Sequence, residues 1–351
     1  MSKRNTSRIA PDSILTLALD IGYGVVKAVT DGQTLRFPSV MGHARDIKFQ
    51  SDEIARRHPG DQLFDDQGGW FVGDLALTHT PPGELLRLRG RTAKEEEIGN
   101  AFRLRLAKVA LGKLLAGNTS RDAVHVRIAT GLPTDHLRDT ASLKQTLLGQ
   151  HRVCTDTADF IANIVDVMVM PQPYGTIYAH TLTERGEINR QHQYRRTGVV
   201  DVGTYTVDLA LDDEGEYVDS ESGSVESGVY TAHERIEALL ERNYREKIAF
   251  KFVEETLRSG IFYANGQAVD YRSEVQDALM PLRSATMGLL SQKWQRGTTV
   301  DVVYLSGGGA SFVAQDVRGA YPQTVVVQEA QLANARGYLN YARFAIAELQ
   351  R

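Results

Sequence analysis

Twice in this chain an aspartate stands between an apolar strand and a glycine turn, and each time a second strand follows instead of a helix. The first segment runs Leu17-Ala-Leu-Asp-Ile-Gly-Tyr-Gly-Val-Val-Lys27, the second Gly198-Val-Val-Asp-Val-Gly-Thr-Tyr-Thr-Val-Asp-Leu-Ala-Leu211. The strand–turn–strand order argues against a P-loop and a dinucleotide-binding fingerprint, both of which need a helix directly after the glycines. A pair of such hairpins reads as a clamp, with two turns of backbone N–H groups facing the phosphates of one nucleotide.

The elements around these turns repeat. Ile14 to Ile21, Val25 to Thr30 and Gln33 to Phe37 form a predicted meander, with Asp31-Gly32 as a two-residue hairpin turn. Asp46 to Gly69 is polar and reads as an irregular insertion, followed by a short strand at Trp70–Gly73 and a loop at Pro81–Gly83. Glu95 to Leu115 is an expected amphipathic helix with Ile98, Phe102, Leu106, Val109 and Leu114 on one face. Strands are expected at Val124–Thr130 and Phe160–Met170, and a helix at Tyr174–Leu182. After a polar link at Arg185–Arg196 the meander recurs as Gly198–Asp201, Thr206–Asp212 and Tyr217–Val225. Helices are expected at Thr231–Phe250, at Val253–Leu257, at Ser273–Trp294 with a possible break at Pro281, and at Asn334–Gln350. Strands are expected at Val300–Leu305 and Thr324–Val327. The expectation is a duplicated α/β fold with a cleft between two lobes.

With 351 residues the chain suits two or three domains or one bilobed one. Lys plus Arg number 40 and Asp plus Glu 44, for a net charge of −4, so no direct nucleic-acid binding is expected. A lone cysteine, Cys154, excludes an intramolecular disulfide and fits a reducing compartment. No window approaches the roughly 20 apolar residues of a membrane span. Met1–Ser13 carries Lys3, Arg4 and Arg8 without an apolar core, and is expected to be a disordered tail rather than a signal peptide. A cytoplasmic location is the expectation.

Each candidate site has a plain structural alternative beside its chemical one. Gly22 and Gly24 either serve a simple hairpin or leave room for a phosphate, with Tyr23 between them, Lys27 as counter-charge and Asp20 holding a magnesium ion through water. Gly203 with the amides of Thr204 and Tyr205 can face a γ-phosphate, with Asp201 as second metal-linked or water-orienting carboxylate; the alternative is again a turn. Gly307, Gly308 and Gly309 suit close approach to a flat ring or an α-phosphate, or else a tight strand-to-helix crossover. Gly228 can sit against a ribose, and Glu254 or Glu255 can touch ribose hydroxyls or merely be solvated. Gln172, between two prolines, either orients an attacking water or is a loop residue. The basic stretch Arg87, Arg89, Arg91, Lys94 reads as a solvated loop. The nine histidines show no metal-ligand spacing.

Taken in order along the chain, these segments resemble the actin-like ATPase superfamily. Asp20–Lys27 is similar to its first phosphate motif, Asp201–Thr206 to its second and Ser306–Ser311 to its adenosine motif; Pro171–Tyr178 and Asn334–Tyr338 are similar to its two connecting segments. Asp-Ile-Gly-Tyr-Gly-x-x-Lys27, the Arg-Phe-Pro-Ser39 segment and the Ala-Asn-Ala-Arg-Gly-Tyr338 ending look most like the ParM/StbA plasmid-partitioning and small archaeal actin-like proteins. The resemblance implies an actin/ribonuclease-H-like fold of two lobes around a nucleotide cleft. Its bounds would be a lobe at 14–183 with an insertion near 38–95, a lobe at 197–330 with a helical subdomain near 230–297, and a final helix at 331–351 packing back on the first lobe. It further implies ATP (or GTP) with Mg2+, a head-to-tail homopolymer whose assembly is coupled to hydrolysis, and a DNA-bound adaptor as partner. Asp20 and Asp201 become metal-linked, Lys27 the phosphate lysine, Gln172 the water-orienting residue and Gly307–Gly309 the adenine-side backbone. Two departures stand out: Tyr23 where actin has a small hydroxyl residue, and Gln172 where ParM has a glutamate. The alternative function on the same fold is a small-molecule kinase, with Asp208 or Asp135 as base.

Overall fold

The computed structural model describes residues 14–49, 51–87, 93–119, 123–192 and 194–351. The Met1–Ser13 tail, Arg89 and Arg91 lie outside them, and so do the side chains of Lys94 and Ile98. The first lobe opens with the expected meander, β1 (Leu15–Ile21), β2 (Val25–Thr30) and β3 (Gln33–Pro38). The chain then leaves the main sheet through β4 (Val40–His43), α1 (Ser51–Arg57), β5 (Gln62–Asp65), β6 (Gly68–Val72), α2 (Gly73–His79) and β7 (Leu86–Arg87). It returns by α3 (Ala93–Leu114), β8 (Val124–Leu132), α4 (Thr140–Leu147), β9 (Gly149–Cys154) and β10 (Asp159–Pro171), and leaves the lobe through α5 (Tyr174–Thr181).

The second lobe repeats the plan. It contains β11 (Arg196–Val202), β12 (Val207–Asp213), β13 (Glu216–Tyr217), β14 (Gly223–Val225), α6 (Val229–Tyr244), α7 (Phe250–Ser259), β15 (Ile261–Ala264) and β16 (Gln267–Asp270). It closes with α8 (Arg272–Trp294), β17 (Val302–Ser306), α9 (Ala310–Ala320), β18 (Thr324–Val326) and α10 (Ala333–Leu349). The sheet orders are β3-β2-β1-β8-β10-β9 and β13-β12-β11-β17-β18, with β14 beside β12. In both, an antiparallel hairpin is followed by parallel neighbours. The register makes the duplication concrete: Asp20 lies opposite Lys27, and Asp201 opposite Asp208.

Both sheets are buried on two faces, so their strands read as apolar runs rather than clean alternations. Leu17, Leu19 and Ile128 pack on Phe102, Leu106 and Val109 of α3. On the other face, Ala18, Val29 and Ala129 pack on Tyr338, Leu339 and Ala342 of α10. In the second lobe Val200, Leu209 and Leu305 pack on Ile236 of α6 and Leu282 and Leu290 of α8. The opposite face, with Val199, Ala210 and Tyr304, receives Tyr174 and Ile177 of α5. The two connecting helices therefore exchange lobes: α5 leaves the first and covers the second, while α10 leaves the second and covers the first.

Several sequence expectations are corrected. Asp46–Gly69 is not irregular. It holds α1 and the β5–β6 hairpin, whose Trp70 indole lies under the Arg105 guanidinium, 4.3 Å from it. The strand expected over Tyr217–Val225 is broken by a 3-10 turn at Asp219–Glu221, because Arg196 binds Glu221 at 2.7 Å and Trp294 donates to the Glu221 carbonyl at 2.8 Å. The helix expected through Phe250 stops at Tyr244, where Arg245 turns left-handed and its N–H closes on the Glu241 carbonyl. Pro281 does not interrupt α8; the carbonyl it orphans belongs to Asp277, which is exposed to water. Arg87 is not on a solvated loop: its guanidinium lies 4.3 Å from the centre of the Phe250 ring, joining the outer parts of the two lobes.

That contact continues inward. The His233 ring stacks on Phe250 at 4.2 Å and on Tyr230 at 5.8 Å. Burial, with a smaller contribution from Arg87, pushes the imidazole down to about 4 against the opposing pull of Glu254. An unfolded histidine takes its proton near 6.5. Stability carried by the neutral ring is therefore complete above about pH 6.5 and is lost as pH falls toward 4. Between pH 7 and 4 the protein should lose on the order of 3 kcal/mol more unfolding free energy than His233→Phe, measured by urea denaturation. Equal losses in the two proteins would show that His233 does not carry this acid sensitivity.

Candidate functional site

Each carboxylate sits where an apolar strand gives way to its turn. Asp20 ends β1 and is buried; its Oδ2 accepts from Lys27 Nζ at 2.9 Å and its Oδ1 from Gln172 Nε2 at 2.8 Å. Because a carboxylate only accepts, the NH2 end of Gln172 must face it, leaving Oε1 as the free pole of that amide. Gln172 is further fixed by its backbone, whose N–H donates to Leu132 O at 2.7 Å and whose carbonyl accepts from Tyr338 at 3.1 Å.

Asp201 is also buried, and its Oδ2 accepts from Asn334 Nδ2 at 2.6 Å. The register gives it a carboxylate neighbour, Asp208, where Asp20 has a lysine. Burial first and Asp208 second push Asp201 up to about 7, partly countered by the Asn334 hydrogen bond. Burial also raises Asp208, whose oxygens accept from Thr206 at 2.7 Å and from Thr134 of the first lobe at 3.4 Å. Two like charges opposite each other in a ladder are unfavourable. A site for a cation or for its proton substitute is the chemical use of such a pair.

The two turns meet. A Cβ on Gly24 would lie 2.3 Å from Thr204 Oγ1, and the rings of Tyr23 and Tyr205 pack edge to face at 5.3 Å. Behind them opens a cleft of about 550 Å³, part of it continuous with solvent. Asp20, Gly22, Tyr23 and Lys27 line it from the first turn, and Asp201, Gly203, Thr204, Thr206 and Asp208 from the second. Gln172 and Asn334 reach it from the starts of the connecting helices, and Gly307, Gly308, Ala330 and Gln331 close its far end. Gly307 has φ of 88°, and a Cβ there would strike Asp201 Oδ1 at 2.4 Å. Gly22, Tyr23 and Gln172 also wall a second, solvent-open recess toward Arg103 and Leu143.

Besides Gly24, which is packed against Thr204, and Glu254, which pairs with Arg258, four more sequence candidates stand outside the cavity lining. Gly228 caps α6 and lies beneath the second turn, where a Cβ would meet the Thr204 carbonyl at 2.4 Å. Gly309 packs against Val202 and Val229. Tyr205 turns toward Tyr23 and Tyr230. Glu255 is exposed on α7. In the other direction, Asn334 and Gln331 line the cavity although sequence reasoning gave neither a role. The only signal for Asn334 was its place in the second connecting segment.

Among the described residues no group of three or more histidines, cysteines or carboxylates is arranged to hold a metal by itself. The donor set instead fits a hard cation held by one or two carboxylates, waters and the ligand's own phosphates. Asp201, whose charge Asp208 opposes, is the residue to which such a cation brings most relief.

Comparison with known proteins follows the same division of the chain. Residues 18–175 match the family described as the N-terminal domain of actin-like proteins, and residues 199–319 the C-terminal domain of the archaeal actin homologue MreB-like. Among solved structures, a 15-stranded ParM filament from Clostridium botulinum is similar with a TM-score of 0.74 at 20% identity, over 94% of this chain and 99% of that one. A non-polymerisable quadruple mutant of pCBH ParM gives 0.72 at 20% identity, over 94% and 99%. Ta0583, an archaeal actin homologue in complex with ADP, gives 0.71 at 20% identity, over 94% and 99%. These likenesses establish the fold. No curated protein sequence matches the chain.

Proposed function

The chain belongs to the actin-like proteins, and from that premise we propose that it is a nucleotide-dependent, filament-forming ATPase. The observation that carries the proposal is the meeting of two register-equivalent turns over one cavity, with a carboxylate behind each. The triphosphate lies between the turns. Lys27, held by Asp20, supplies a positive charge at the phosphate end, and Thr204 and Thr206 supply hydroxyl donors. The base lies toward Gly307 and Gly308, where backbone without side chains allows close approach. Magnesium, bound beside Asp201 and Asp20, would neutralise phosphate charge.

For hydrolysis the protein has to place a water and offset charge, with little covalent chemistry of its own. Gln172 Oε1, left free by the commitment of Nε2 to Asp20, accepts from that water and orients it. An amide orients without being a strong base, which predicts slow turnover. The lobe exchange of α5 and α10 ties cleft closure to the mutual position of the lobes, and so to head-to-tail contacts, which grow as open filaments. The ParM filament among the similar structures supports self-assembly, and the ADP complex of the archaeal homologue supports nucleotide binding. A small-molecule kinase needs a carboxylate base free to meet an acceptor hydroxyl, whereas Asp208 is engaged by Thr206 and Thr134.

The test is light scattering and ultracentrifugal pelleting with magnesium and ATP, ADP or a non-hydrolysable analogue. Scattering should rise with ATP and the analogue, and decay only with ATP as phosphate is released. A protein that never pellets with any of the three, across a wide concentration range, is not a filament former.

A further inference from the structure

Both cleft carboxylates are held by a side-chain amide from the start of a connecting helix, but the two amides are held differently. Gln172 is anchored through its backbone. Asn334 is anchored through its side chain at both ends: Nδ2 donates to Asp201 at 2.6 Å, and Oδ1 accepts from Thr176 Oγ1 at 2.8 Å. A carboxylate only accepts, and a threonine hydroxyl has one proton to give, so the chain of bonds runs one way, from Thr176 through Asn334 to Asp201. Thr176 and Asn334 are both buried, so water cannot take over from a lost partner. Without the Thr176 hydroxyl the amide still donates to Asp201, but its oxygen loses its buried donor and the group is no longer pinned at its second end.

The relay also joins separate elements. Thr176 lies on α5, Asn334 on α10 and Asp201 at the end of β11. It sits at the crossing of the two helices, where a Cβ on Gly175 would lie 2.6 Å from the Asn334 backbone.

Resting on the reading of the cleft as a triphosphate site, we propose that Thr176 and Asn334 are positioning residues that aim the Asp201 carboxylate and tie its direction to the α5–α10 crossing. Neither needs to touch the nucleotide. Asp201 is presented to the cleft only when the crossing is closed, so a change in lobe angle is felt at the carboxylate without any residue of the turns moving first.

The experiment compares Thr176→Val, which removes the hydroxyl at nearly constant volume, with Thr176→Ser, which keeps it, and with Asn334→Ala. The measurements are ATPase kcat and KM, and affinity for a fluorescent ATP analogue with magnesium and with EDTA. Thr176→Val should lower kcat and magnesium-dependent affinity about tenfold. Its affinity in EDTA should stay within about twofold of wild type, because the backbone turns that bind the phosphates are untouched. Thr176→Ser should restore wild-type values, and Asn334→Ala should shift them in the same direction as the valine variant. If Asn334→Ala does not fold, the Thr176 pair decides alone. Equal behaviour of the valine and serine variants overturns the relay, as does a parallel loss of EDTA affinity and kcat, which marks general damage. A wild-type protein that binds no nucleotide overturns the functional reading and the relay with it; an active wild type with an unaltered Thr176→Val overturns the relay alone.

Discussion

Gly337→Ala should yield little or no folded protein. Gly337 lies in α10 where it crosses α5, and an added Cβ would fall 1.6 Å from the Gly175 carbonyl oxygen and 2.8 Å from the Ala179 nitrogen. Both obstacles are backbone, so no side chain can swing away. Relief requires the helices to part. They are bound on their outer sides to different sheets, α10 to Ala18, Val29 and Ala129, α5 to Val199, Ala210 and Tyr304. Parting them lifts one helix from its sheet or spreads the lobes. Overpacking against rigid backbone should cost about 3–5 kcal/mol here, a large share of the roughly 5–15 kcal/mol that holds a domain together. Gly288→Ala is the control: Gly288 is inside α8, with nothing within 4 Å of its added Cβ. It should gain roughly 0.5–1 kcal/mol from helix propensity alone. Soluble yield and thermal melting followed by circular dichroism separate the two. A Gly337→Ala protein that melts like wild type would mean that the crossing is looser than these distances.

This crossing shows where sequence reasoning reached its limit. Asp20, Asp201 and the glycines beside them were legible because local chemistry places them: an apolar strand fixes the carboxylate at its end, and a glycine turn can only reverse the chain. The central strands were legible for the same reason, as apolar runs such as Val302-Val-Tyr-Leu305. The α3 helix was legible from Phe102, Leu106 and Val109, which recur at helical spacing and are all buried, although its second half is covered on more than one side. The exchange of α5 and α10 between lobes left no comparable mark. Gly175 and Gly337 look like helix-weakening residues until their mutual approach is seen, and the Asn334–Asp201 bond joins positions 133 residues apart. Where contacts between distant segments decide, local reading also went astray. Tyr217–Val225 holds the place of a third strand in the repeat, yet its Asp-Ser-Glu-Ser-Gly centre suits a turn, and Arg196 and Trp294 hold Glu221 out of line. Gly228 looks like a ligand-facing glycine, yet it serves the packing of α6 under the second turn.

Asp201→Asn should raise stability while removing function, a combination that only a residue kept for chemistry produces. The substitution preserves shape and leaves an oxygen to accept from Asn334. It removes the charge that Asp208 opposes across the ladder. The sign follows from the raised proton affinity. In the unfolded chain the carboxyl ionises near 3.9, while in the fold it holds its proton up to about 7. The fold therefore loses stability as pH climbs through that window, and above it the cost is complete. At pH 8 the asparagine variant, free of this cost, should melt on the order of 5 °C higher than wild type, and at pH 4 the difference should vanish. Function should move the other way. An amide cannot bind magnesium as a carboxylate does, so turnover should fall by roughly 10²-fold or more, and ATP-triggered scattering should disappear at concentrations where wild type assembles. Nucleotide affinity in EDTA should be the least affected quantity, because the turns remain intact. Melting curves at the two pH values and scattering with magnesium–ATP, run on the same two proteins, decide the matter. A variant that loses both stability and assembly would make Asp201 a structural carboxylate. A stabilised variant that still assembles would place the metal chemistry elsewhere in the cleft.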